Sequence, residues 1–134
     1  MAGSALSRLL RRAVSGMSPT ARSLALLKSR GAIPAVCERW NSFARIRIDL
    51  FGFLDIVAIE PGKVGLLGVQ ACVTGDQSKR LAKIALNDNA APWLAAGNRI
   101  VVMGWSKKGP RGKRKTWQLS ETTIPTPTPG GAGA

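Results

Sequence analysis

The sequence predicts an α/β protein: a small mixed central sheet flanked by helices, in the order helix-strand-strand-strand-helix-strand. Three observations carry this. Asp49 to Val73 (DLFGFLDIVAIEPGKVGLLGVQACV) holds two apolar runs, Leu54 to Ile59 and Val64 to Val73, separated by the turn cluster Glu60-Pro61-Gly62-Lys63. Continuous apolar runs of this kind suit strands covered on both faces. Helical patterns then stand before and after this pair, and a further apolar run, RIVVMGW, follows the second of them.

The elements follow in order. Met1 to Met17 reads as a flexible basic arm, with Arg8, Arg11 and Arg12 and no acid. The acid-free stretch continues to Gly31, so a cleaved presequence is an open alternative for this end. Against it, Ser18-Pro19 forms an N-cap with proline at the first helical position, and a helix from Ser18 to Arg30 stops at Gly31. Ala32 to Trp40 (AIPAVCERW) reads as a strand with Pro34 near its start, and Asn41 to Arg47 as a loop or edge segment. The two central strands come next, then the turn Thr74-Gly75-Asp76. Ser78 to Leu86 is an amphipathic helix, Ala90 to Ala96 a short one closed by Gly97-Asn98, and Arg99 to Trp105 a strand. Ser106 to Lys115 (SKKGPRGKRK) is a basic loop, Thr116 to Ser120 pairs back as a hairpin or edge strand, and residues 121–134 form a disordered Thr/Pro/Gly tail. A single domain therefore spans residues 18–120, and 134 residues with 45% hydrophobic content suffice for one real core.

Charge narrows the partners. Twenty Lys+Arg against seven Asp+Glu leave a formal charge of +13, which points to a polyanion, most often nucleic acid. The absence of His removes a Ser-His-Asp triad and any His-based metal site or general base, and the absence of Tyr removes a tyrosyl-DNA intermediate. Cys37 and Cys72 lack a CxxC spacing and lie in apolar runs, as buried free thiols of a reducing compartment do. No run approaches the roughly 18–20 apolar residues of a membrane span.

Two polar residues interrupt the central strands, Asp55 entering the first and Gln70 late in the second. A carboxylate entering a buried strand is unfavourable unless it is paired, hydrogen-bonded or holding a metal. Asp49 is an alternative ligand, or else an ion-pair partner of Arg45 or Arg47; Glu38 is an upstream acid that stands beside Arg39. Trp40, Trp93, Trp105 and Trp117 read as core or rim packing. Lys107, Lys108, Arg111, Lys113, Arg114 and Lys115 are six cations spaced by two glycines and a proline, a pattern suited to an arm tracking phosphates. Arg45, Arg47, Lys79 and Arg80 join them as candidate phosphate contacts.

The ordered set, with an acid entering one strand and a polar-x-polar pair late in the next, resembles the PD-(D/E)xK nuclease fold of restriction endonucleases and archaeal-type Holliday junction resolvases. More narrowly, ERW … R-x-DLFGFLDIVAI … GLLGVQ … WLAAGNRIVVMGW … W looks like a group of small phage and prophage proteins regarded as nuclease-like. The resemblance covers roughly Ser18 to Ser120. It implies that Asp55 stands at the position of the metal-binding aspartate, Gln70 at that of the second acid and Cys72 at that of the lysine, with Glu38 as the additional upstream acid. Cysteine in place of lysine departs from the pattern; the family lysine can migrate, which makes Lys83 or Lys79 its replacement. Asp55, Gln70 and Glu38 would then hold Mg²⁺ or Mn²⁺ through hard oxygen ligands.

What the resemblance implies is a Mg²⁺-dependent DNA endonuclease acting on branched or recombining phage DNA in the bacterial host cytoplasm, working as a homodimer and not at a membrane. Two rivals stand beside it: a DNA-binding module of the same fold with a decayed site, and a basic organellar or ribosome-associated protein with a removed presequence.

Overall fold

A computed structural model describes residues 16–126 of the chain. The expected arm thus lies outside the described residues except for Gly16 and Met17, as does the tail from residue 127. Helix α1 spans Pro19–Ser29. Ser18 caps it, its hydroxyl accepting from the Ala21 N–H at 3.1 Å, and Pro19 occupies the first turn, where a missing donor is harmless. Gly31, at φ 87°, turns the chain away in a conformation that other residues disfavour.

The strands are β1 (Ile33–Val36), β2 (Arg39–Asn41), β3 (Ile46–Ile48), β4 (Ile56–Ile59), β5 (Leu66–Val73), β6 (Arg99–Lys108) and β7 (Thr116–Ile124). A 3-10 turn (Thr74–Asp76) leads from β5 into α2 (Gln77–Ala85), and α3 (Ala90–Ala95) precedes β6. Five strands form a mixed sheet in the order β1-β4-β5-β6-β7, with β5 and β6 parallel and every other neighbour antiparallel. The parallel pair is the one joined through helices, as a crossover requires. β2 and β3 stand apart as a separate two-stranded hairpin.

Helices cover both faces of this sheet. Ile56, Ala58, Leu67, Val69, Val101 and Met103 face α1 and pack around Leu27. Phe53, Leu54, Cys72, Ile100 and Val102 face Ile84 of α2 and Ala90 of α3. The chain is therefore of the α/β class expected, with a small mixed sheet flanked by helices. Gly68 makes the second layer fit, because a Cβ there would approach Leu54 Cδ2 to 2.4 Å and Trp93 to 3.1 Å. Among the described residues no helix is long and apolar enough to cross a membrane.

Three elements differ from expectation, the first being β6, which runs past Trp105 to Lys108 and takes Ser106 to Lys108 out of the expected basic loop. The strand expected over Ala32 to Trp40 divides at Cys37-Glu38: Cys37 N–H still bonds to Asp55 O at 2.9 Å, and the chain then leaves the sheet to build β2. The tail expected from residue 121 begins later, because β7 continues to Ile124. Thr122 and Thr123 pair with Val102 and Val101 in β6, and Ile124 packs on the α2/α3 layer. Gln77, buried at the start of α2, reinforces this edge by donating Nε2 to Ser120 O at 2.9 Å and to Thr122 Oγ1 at 3.1 Å.

Candidate metal centre

The hairpin brings two acids together by register. Arg39 pairs with Ile48, Trp40 with Arg47 and Asn41 with Ile46. One step before that ladder, Glu38 and Asp49 fall opposite each other, and strand alternation sends both to the face that carries Trp40 and Arg47. A tight turn then returns the chain to the sheet. Phe51 and Gly52 adopt φ 56° and 84°, and Leu50 bridges Leu54. Asn87 and Asn89 hold this turn by donating to Phe51 O at 3.0 and 3.3 Å. Asp55 emerges at its end. Ligand oxygens of Glu38, Asp49 and Asp55 consequently lie within 4.8 Å of one another.

Asp55 sits at the point where the β4–β5 ladder is completed by a side chain. Its N–H bonds Val69 O at 2.8 Å, while Oδ2 accepts from Ala71 N–H and Gln70 Nε2, each at 2.8 Å. The residue is 4% exposed. Burial pushes its carboxyl up to about 8, against the Ala71 N–H, which favours the anion; the neighbouring carboxylates Asp49 and Glu38 push the same way as burial. Without a cation, these pushes favour the protonated form of Asp55 at neutral pH.

Gln70 is 1% exposed and lines the same pocket, yet its Oε1 has no hydrogen-bond partner. An orphaned buried amide oxygen is unfavourable by ~1–3 kcal/mol. Three carboxylates are hard oxygen donors of the kind that a Mg²⁺ or Mn²⁺ ion takes. The residues present thus fit such an ion, with Glu38, Asp49 and Asp55 as its holders. Gln70 turns its Nε2 to Asp55 Oδ2, and Asp49, the alternative ligand, joins Glu38 and Asp55 in the cluster.

The pocket, about 310 Å³, carries cations on its rim: Arg47, Arg80 and Lys83. Arg47 Nη1 meets Glu38 Oε1 at 2.7 Å, and Lys83 Nζ lies 3.7 Å from Asp49 Oδ2. Glu38 therefore pairs with Arg47, not with its neighbour Arg39, and Asp49 with a lysine from α2. Both cations are more than a third exposed, so each pair contributes no more than ~1 kcal/mol. They remain free to exchange partners.

Other expected site residues lie elsewhere. Cys72 is 4% exposed and sits in the α2/α3 layer, where burial raises its thiol above its ordinary value. It shares the Gln70 face of β5 without lining the pocket. Lys79 is exposed on α2 and also outside the pocket lining. Arg45, at φ 54°, is exposed at the hairpin tip. Lys107 and Lys108 end β6, and Arg111, Lys113, Arg114 and Lys115 are exposed in the loop beyond it. That loop follows the C-terminal end of β6, the sheet end at which Gln70 and Asp55 also stand.

Three tryptophans pack as expected. Trp93 and Trp105 donate to Arg99 O and Ser23 Oγ, each at 2.9 Å, and Trp117 lies under the Arg22 guanidinium at 3.8 Å. Trp40 does not pack, being 61% exposed beside the pocket.

Fold and site together define a small α/β protein with a carboxylate pocket rimmed by cations. The chain matches no protein-family model, no curated protein and no solved structure.

Proposed function

We propose that this protein is a divalent-metal-dependent DNA endonuclease of the PD-(D/E)xK kind, hydrolysing phosphodiester bonds at the Glu38–Asp49–Asp55 pocket. The observation that carries this reading is a contrast of charge. On a chain of net +13 with seven acids in all, three bring ligand oxygens within 4.8 Å of one another, in a pocket that the buried Gln70 also lines. Such a cluster opposes folding by mutual repulsion unless a proton or a cation sits in it.

In this reading Glu38, Asp49 and Asp55 hold Mg²⁺, with Mn²⁺ as its substitute. When bound there, the ion would supply a more acidic water and would neutralise charge growing on the phosphoryl oxygens. Arg47, Arg80 and Lys83 bind the phosphate group from the rim. The oxygen of water forms a bond to phosphorus and gives up a proton to solvent, the bond from phosphorus to the departing sugar oxygen breaks, and that oxygen takes up a proton from solvent. Lys83 stands in for the cation that Cys72 does not supply. The topology supports the assignment: α1, β1, β4, β5, α2 and β6 reproduce the order helix-strand-strand-strand-helix-strand, with Asp55 entering β4 and Gln70 late in β5. A homodimer in the bacterial host cytoplasm, acting on phage DNA, belongs to the same reading.

One observation favours the alternative of binding without cutting. A buried neutral thiol at Cys72 cannot stabilise a leaving oxygen as an ammonium does. Incubation of the protein with linear, branched and single-stranded DNA separates the two. Nicking that requires Mg²⁺ or Mn²⁺ and stops with EDTA is the expected result. Retarded but intact DNA under all metal conditions overturns the nuclease reading and leaves the binding module.

A further inference from the structure

We propose that the β2–β3 hairpin is a binding arm for unpaired nucleotides, on which Trp40 and Phe43 stack nucleobases while Arg47 holds the phosphate next to the carboxylate pocket. This rests on the nuclease reading for the pocket itself, and it makes the substrate DNA with single-stranded character.

A lone two-stranded ribbon is marginal in water. This one exposes Trp40 by 61% on the Arg47 face and Ile46 by 54% on the opposite face, and Phe43 at the tip by 101%. Its tip is nonetheless ordered. Asn41 Oδ1 accepts from the Phe43 and Ala44 N–H groups at 3.0 and 3.1 Å, and Arg45 closes the turn at φ 54°. Phe43 is thereby held outward instead of folding back onto the ribbon. Exposed rings have an energetic reason to persist only if something apolar arrives to cover them.

Charge selects what arrives. Arg39, Arg45 and Arg47 share the hairpin with the two rings, and the hairpin itself contains no acid, so the partner is anionic with flat apolar faces. Unpaired nucleotides have both properties. In a duplex the base faces are already stacked on each other and closed to a tryptophan.

Register supplies the path. Trp40 and Arg47 are cross-strand partners on the face that carries Glu38 and Asp49 one pair earlier. Trp40 lies two residues from Glu38, about 7 Å along a strand. A base on Trp40 therefore places its backbone near the pocket mouth. Arg47 meets Glu38 at 2.7 Å through Nη1 alone and its side chain is 69% exposed, so its other N–H groups are open to phosphate without a cation.

The test is fluorescence anisotropy in EDTA with a labelled oligothymidine and a labelled duplex of equal length at matched salt. Because no metal is present, cleavage is not needed, and a failed nuclease assay leaves this readout intact. The wild-type protein binds the single strand more tightly. Trp40→Ala and Phe43→Ala each weaken single-strand binding about tenfold, the contribution of one stacked base, and leave duplex binding within about twofold. Trp40→Phe, which keeps a ring, restores most of the affinity, something a merely structural defect would not allow. Unchanged single-strand affinity in both alanine variants overturns the proposal, as does equal weakening on duplex. Sensitivity to Trp40→Ala with oligouridine alone overturns the assignment to DNA. A wild-type dimer that Trp40→Ala dissociates, with DNA binding unaltered, shows that a second copy covers the rings and also overturns it.

Discussion

Replacing Asp55 by Asn isolates the electrostatic strain of the pocket. The amide keeps an oxygen for the Ala71 N–H and for Gln70 Nε2, both now at 2.8 Å, and turns its Nδ2 towards Asp49. Packing is preserved and only the charge is removed. An aspartate titrating at 3.8 when unfolded titrates at about 8 in the fold. Below pH about 4 both states hold the proton and the side chain contributes no pH dependence. Between those values the native state keeps a proton that the unfolded chain has released, so stability falls as pH rises, by at most ~1.4 kcal/mol per pH unit. Above about 8 the full penalty, on the order of 5 kcal/mol, is present.

Urea unfolding of both proteins in EDTA, at about pH 5 and about pH 8.5, reads this difference directly. The account expects Asp55→Asn to gain on the wild type with rising pH and to be the more stable protein at the alkaline end. Millimolar Mg²⁺ should narrow that gap, because binding at a hundredfold its dissociation constant stabilises the wild type by ~2.7 kcal/mol and the variant hardly at all. A difference that does not change with pH, or a variant less stable than the wild type at about pH 8.5 in EDTA, would refute the reasoning.

Further outcomes follow from the same geometry. In nicking assays Asp55→Asn should abolish metal-dependent cleavage while DNA affinity holds or rises slightly, since a carboxylate near phosphate repels it when no metal is bound. Alanine at Lys107, Lys108, Lys113, Arg114 and Lys115 should flatten the salt dependence of DNA binding by ~0.9 in log–log slope for each phosphate that is no longer neutralised, and an unchanged slope removes this loop from the interface. Cys72→Lys should destabilise the fold by several kcal/mol, read by urea denaturation, and should not raise activity, because its side chain lies among Leu54, Ile84 and Val102. Gly65→Ala should lower stability by about 3 kcal/mol: φ is +80° and the new Cβ would come within 2.0 Å of Gly97 O.

Much of the fold was legible in local chemistry. Ser18-Pro19 and Gly31 bound α1 because capping groups act within a single turn. β4 and β5 were legible because their residues, Gln70 apart, are apolar and most of them are at least partly buried. The hairpin was hidden for the opposite reason. IPAVCERW carries no glycine or turn residue at Cys37-Glu38, and the break there is set by where β4 begins, a tertiary fact. β7 reached beyond its expected end because Glu121-Thr122-Thr123 forms an edge strand, whose polar residues resemble a loop in sequence.

The candidate site was legible in its centre but not in its partners. Asp55 and Gln70 stood out as polar breaks in buried strands, and they meet at 2.8 Å. Asp49 was one of two readings, and only the register of β2 on β3 sets it opposite Glu38. Cys72 shares the Gln70 face of β5, but that face turns from pocket to core within two residues. Trp40 could be told from the packed tryptophans only by its place on a ribbon that leaves the sheet.

The central claim is that Glu38, Asp49 and Asp55 hold a divalent cation, and anomalous diffraction from crystals soaked in Mn²⁺ tests it most directly. The account predicts one strong peak among the three carboxylates, about 2.1–2.3 Å from an oxygen of each, the distance expected of a hard divalent ion, and no such peak in Asp55→Asn. A saturating soak that leaves the pocket without anomalous density, or that places manganese elsewhere on the protein, would contradict it.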